Sequence, residues 1–189
     1  MSYDPGRYYW SAAIMSVLDD RGIMALRAAV AIFQAIGLFF GLLVLVTVVK
    51  KQSLAYLLLA AFILLLWMYP RHILFDISLS LILIGALSCL IHSPTSRRYF
   101  ISGLIIGIVA LFGRNHGVYG AVASLLAIIW LNVGRAEGQG LLQGFVFWSA
   151  GVCLGFLPMG LMALLEPGFG AAFLNSVLFL FEIKATNLP

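Results

Sequence analysis

The charged residues constrain this chain most, because nearly all of them fall in short breaks between long apolar runs. Gly22–Val49, Leu54–Tyr69, Ile73–Ile91, Tyr99–Phe112, Val118–Val133 and Leu141–Leu165 are such runs, and Phe169–Ile183 begins another. Each approaches the length a helix needs to cross a bilayer. A segment in lipid must satisfy its own backbone groups, which leaves helices or a closed barrel, and these runs lack the in–out alternation of barrel strands. The expected fold is therefore all-α, a polytopic transmembrane bundle of about six to seven spans. With 63% hydrophobic and 10% charged residues and a mean hydropathy of +1.09, the chain cannot cover a core of this size with a water-facing surface.

In a soluble domain the net charge of +4 would suggest nucleic acid, but here the basic residues are scattered over short connections and no nucleic-acid patch is read. Lys50-Lys51, Arg97-Arg98 and Arg135 occupy every second break, and the positive-inside rule puts those breaks on the cytoplasmic side. Residues 1–21, 70–76, 113–117 and 166–168 then share the opposite face, with Asp4, Arg71, His72, Asp76, Arg114, His116 and Glu166. Residues 1–21 are expected to form an outer-face element containing an interfacial amphipathic helix, with 22–189 as the transmembrane domain. Asp4 is expected to cap that helix, Pro5 to take its first position and Gly22 to end it, while Tyr8 and Trp10 suit the headgroup region.

Glycines four apart, at Gly37/Gly41, Gly103/Gly107 and Gly151/Gly155, lie on one helix face and mark close helix packing. Pro158 is expected to kink the run that contains it. Cys89 and Cys153 sit inside apolar runs with no ligand pair beside them, so neither a disulfide framework nor a zinc site is expected. No cofactor is expected, and two separated aspartates do not by themselves indicate a divalent cation.

Three outer-face breaks carry chemistry-bearing residues. The first, Tyr3-Asp4-Pro5-Gly6-Arg7-Tyr8-Tyr9-Trp10, sets a carboxylate and a guanidinium among aromatics. In the second, Pro70-Arg71-His72-Ile73-Leu74-Phe75-Asp76, an aspartate stands where a helix enters lipid, a costly position that demands a partner or a use; Arg71 and Ser80 are the candidate partners. The third, Gly113-Arg114-Asn115-His116-Gly117, offers close backbone approach together with phosphate-binding donors. Carboxylates, arginines and a histidine at a membrane surface suit transfer of a group from a lipid phosphate, with a carboxylate taking the acceptor's proton and the cations holding the leaving phosphate.

At these positions the chain resembles the integral-membrane glycosyltransferases of the GT-C type, including the protein O-mannosyltransferases and the bacterial lipid A aminoarabinose transferases. Asp4 in Tyr-Asp-Pro-Gly-Arg-Tyr-Tyr is similar to the acidic motif of that family's first outer loop. Gly22-Ile-Met-Ala-Leu-Arg27 resembles the segment that follows it, and Arg71-His-Ile-Leu-Phe-Asp76-Ile-Ser-Leu79 resembles an Arg-x4-Asp motif of the second loop. The resemblance implies a polyprenyl-phosphate sugar donor, inversion at the anomeric carbon, and an acceptor that is a glycan, a lipid or a protein. It makes Asp4 the base and sets Asp76 close to the same site, so the two are the candidate catalytic residues. Arg7, Tyr8, Arg71, His72, Arg114 and His116 are the candidate substrate-binding residues. It also implies a bacterial inner (plasma) membrane location with the site on the non-cytoplasmic face. Measured against that family, the chain is expected to be a partial one, lacking the span before the acidic loop and the C-terminal half. Two rival readings stand beside this one: a small transporter-like protein, although the bilayer midplane is almost empty of charge, and a non-catalytic membrane subunit that packs on a partner through its glycine faces.

Overall fold

The structure is a computed structural model that describes residues 4–49, 53–69, 74–134 and 140–182. The described residues form eight helices: α1 (Pro5–Val17), α2 (Ile23–Val48), α3 (Leu54–Trp67), α4 (Leu74–His92), α5 (Ser96–Phe112), α6 (Arg114–Gly134), α7 (Leu141–Leu165) and α8 (Phe169–Glu182). Four stretches, Ile23–Val48, Leu74–His92, Arg114–Val133 and Leu141–Leu165, are long and apolar enough to cross a membrane. The chain is thus an all-α, multi-pass membrane protein with four candidate spans.

The expected count of six to seven spans is larger, the difference lying in the three shorter helices α3, α5 and α8. At a rise of about 1.5 Å per residue, the 14 residues of α3 reach roughly 21 Å, short of a hydrocarbon core of about 30 Å. The 17 residues of α5 reach little further and include Arg97 and Arg98 in the first turn, and α8 is again 14 residues long.

Helix α4 stands at the centre, with 56% of its apolar window buried against 22–28% for the other three candidate spans. Because lipid is as apolar as leucine, packing in such a bundle depends on close van der Waals fit, not on expelling water. The glycine pairs provide that fit. A methyl group on Gly103 or Gly107 would collide with the carbonyl oxygens of Trp148 and Val152, and one on Gly151 or Gly155 with those of Phe100 and Leu104. The two glycine faces therefore press α5 and α7 together backbone to backbone. Gly37 does the same for α2 and α4, where an added carbon would lie 2.8 Å from the Cα of Ser78. In both pairs the contacts advance along the two helices in the same direction, so the tightly packed partners are parallel and one helix is skipped between them. Helix α7 runs unbroken through Pro158.

Two sequence expectations about α1 need correction. Pro5 does take its first position, but Asp4 makes no side-chain cap; it adopts a left-handed backbone (φ 46°), and its carboxylate is engaged elsewhere. Gly22 does not end the helix either. Helix α1 stops at Val17 with Leu18 as its C-cap residue, Asp19 takes a positive φ, and Gly22 becomes the N-cap position of α2, its amide donating to Asp20 Oδ1 at 2.7 Å. Aspartates tolerate the left-handed region and bond locally to the backbone, so this pair makes the turn several residues before the glycine.

Candidate functional site

The starts of α1, α4 and α6 meet at one end of the bundle. What draws α1 there is aromatic: Trp10 packs edge-on against Phe33 and Phe112, with ring centroids 5.7 and 6.5 Å away, and its Nε1 donates to the carbonyl of Ala29 at 2.8 Å. Gly6 lets the first turn lie directly on the end of α5, since a carbon added there would come within 2.9 Å of the Leu111 carbonyl oxygen. That seating aims Arg7 across the top of α4.

Arg7 is the hub of the cluster. Its Nη2 donates to Asp76 Oδ1 at 2.5 Å, its Nε donates to the carbonyl of Phe112 at 2.8 Å, and its guanidinium lies over the Phe75 ring, 5.6 Å from the centroid. The same Nη2 is 3.9 Å from Asp4 Oδ2. On the other side Asp4 Oδ1 accepts the backbone N–H of Arg114 at 3.3 Å and lies 4.0 Å from Arg114 Nε. His116 Nδ1 stands 3.9 Å from Asp76 Oδ1. Asp4, Arg7, Asp76, Arg114 and His116, joined by Gly113 and Asn115, line a cavity of about 70 Å³.

The two carboxylates differ in how firmly they are held. Asp76 is fixed by a short charge-assisted bond, whereas the contacts of Asp4 are all 3.3 Å or longer, which leaves its lone pairs less committed.

A second, larger space adjoins the cavity. A groove of about 560 Å³ runs between α5, α6, α7 and α8 with apolar walls that include Ala110, Val118, Phe156 and Phe173, and Arg114 and Asn115 line it as well. The Arg114 guanidinium lies 5.9 Å from the Phe173 ring centroid. These two residues thus form the junction between an ion-paired cavity and an apolar channel.

Five of the eight residues singled out from sequence are brought together here: Asp4, Arg7, Asp76, Arg114 and His116. Tyr8 is not among the lining residues; it is 56% exposed on α1. Arg71 and His72 lie outside the described residues. The partner of Asp76 is Arg7 and not Ser80, whose hydroxyl donates instead to the main-chain carbonyl of Asp76 at 2.9 Å. Asn115 was not singled out, although its place between two charged neighbours in a glycine-bracketed break was the available signal. No group of three or more His, Cys, Asp or Glu side chains is placed to hold a metal ion among the described residues.

Fold and site together define a polytopic helical membrane protein with an ionic cluster where several helices begin. No family model matches the chain, and neither a curated protein nor a solved structure matches it.

Proposed function

We propose that this chain is the membrane-embedded part of a glycosyltransferase that moves a sugar from a polyprenyl-phosphate donor to an acceptor on the non-cytoplasmic side. The observation that carries the reading is that Arg114 and Asn115 line both a polar cavity and an apolar groove. A lipid-linked sugar needs that combination: a hydrocarbon channel for the chain, a guanidinium for the phosphate, and a carboxylate beyond it. In this reading Asp4 accepts the proton of the acceptor hydroxyl as its oxygen bonds to the anomeric carbon. The anomeric C–O bond to phosphate breaks, and the electron pair leaves on the phosphate oxygen, where Arg114 and His116 stabilise it. Asp76 keeps Arg7 in place beside them. The basic breaks at residues 50–51, 97–98 and 135 support a cytoplasmic assignment for the opposite end, and α1 then lies at the outer interface.

The rival reading of a non-catalytic subunit relied on free glycine faces, and all three glycine pairs are occupied within the chain. The test is turnover by membranes containing the chain, given a polyprenyl-phosphate sugar labelled in the sugar. Release of polyprenyl phosphate and transfer of label are expected with the native chain, with loss of both in Asp4→Asn. Failure of the native chain to bind polyprenyl phosphate, or unchanged transfer by Asp4→Asn, refutes the proposal.

A further inference from the structure

A second groove lies on the other side of the bundle, between α2, α3 and the start of α4, and shares no lining residue with the first. Its volume is about 530 Å³, and Arg27, Val30, Gln34, Leu65, Met68 and Tyr69 line it. We propose that this groove holds one acidic phospholipid, its phosphate paired with Arg27 and one acyl chain lying along Val30 and Leu65 below.

Three observations converge on that occupant. The first is an uncompensated cation: Arg27 is exposed and makes no ion pair or hydrogen bond among the described residues, while the carboxylate of Asp20, in the turn before α2, is bonded to the Gly22 amide. A guanidinium on an apolar helix is costly without an anion or headgroup water beside it. The second is depth. Arg27 is four residues into a 26-residue helix, about 6 Å from its start, where a side chain meets the phosphate level. Trp67 and Tyr69, 57% and 75% exposed at the adjoining end of α3, are the aromatic residues favoured at that same boundary. The third is Gln34, seven residues on from Arg27 and so on the same face. Its partly buried amide has no hydrogen-bond partner among the described residues, and Val30, Ala31 and Leu65 are apolar neighbours of it in the groove wall. The ester region of a lipid drawn into the groove supplies the missing acceptor, as bulk hydrocarbon does not. Arginine is the right cation here because its planar fork binds two phosphate oxygens at once.

The experiment is native mass spectrometry of the chain in detergent, titrated in parallel with dioleoylphosphatidylglycerol and dioleoylphosphatidylcholine. Both lipids offer a phosphodiester, but in phosphatidylcholine the choline cation already neutralises it, so pairing with Arg27 is expected to favour the acidic lipid by about tenfold. Arg27→Gln is expected to abolish that preference, Arg27→Lys to keep part of it, and Arg21→Gln, a nearby exposed cation outside the groove, to leave it intact. Equal retention of the two lipids by the native chain overturns the proposal. So does full preference in Arg27→Gln, or a loss in Arg21→Gln as large as in Arg27→Gln, which would mean diffuse surface charge. Competition by soluble glycerol 3-phosphate as effective as the lipid itself would also overturn it, by reducing the site to an anion contact without a chain.

Discussion

The bond between Arg7 and Asp76 spans 69 positions of sequence and ties α1 to the bundle, so replacing Arg7 with methionine, which keeps the stem and removes the charge, should loosen the whole site. A hydrogen bond to a charged group is worth about 1.5–3 kcal/mol, and exposed pairs much less. With the two side chains 26% and 36% exposed, a value of about 1–2 kcal/mol follows. The Arg7 bond to the Phe112 carbonyl adds about 1 kcal/mol and its stacking on Phe75 about 0.5–1 kcal/mol. Arg7→Met should therefore cost roughly 3 kcal/mol, and Asp76→Ala, which removes the acceptor altogether, about 1–2 kcal/mol. In a double-mutant cycle the pair should couple by about 1–1.5 kcal/mol. Reversible unfolding in mixed micelles with rising SDS, followed by tryptophan fluorescence, reads these differences, since Trp10 sits in the rings beside Arg7. An Arg7→Met chain as stable as the native one, or a coupling indistinguishable from zero, would show that α1 is not held by this pair.

Gly103→Leu should abolish the close α5–α7 contact and lower resistance to SDS by more than the roughly 1–3 kcal/mol of ordinary overpacking, because it meets a carbonyl and not a flexible side chain; Gly160→Ala, with nothing within 4 Å, should be neutral or slightly stabilising in the same assay. Ser78→Ala should be neutral or stabilising by up to about 1 kcal/mol, since the buried Ser78 hydroxyl has no hydrogen-bond partner among the described residues; a loss of stability would reveal a partner for it.

Much of this arrangement was legible in the order of the breaks. Helices joined by short connections alternate in direction, so breaks that alternate in character sort to opposite ends, which is why Asp4, Asp76, Arg114 and His116 share a cavity. The glycine pairs were legible because spacing by four fixes a helix face whatever the partner. Pairing was not legible. Ser80 stands one turn from Asp76 in sequence, but among the described residues the Asp76 carboxylate bonds to Arg7, because the aromatic seat of Trp10 brings α1 over α4. The end of α1 differs for a similar reason: Asp19 and Asp20 make the turn that Gly22 was expected to make. Helix length was overread in the Leu54–Tyr69 run, where uniform apolarity conceals that only 14 residues are helical.

The skipped-helix pairing has a consequence for biosynthesis. Helix α5 is synthesised with its glycine face bare, and the surface that fits it, centred on Trp148, Gly151 and Gly155, is made only after α6. During that interval α5 depends on α1, α4 and α6, and the groove wall that α7 contributes does not yet exist. The α2–α4 pair closes earlier, as soon as Ser78 reaches Gly37. Insertion thus proceeds as two clamping events separated in time, and the second is the one a ribosome pausing between α6 and α7 would leave open.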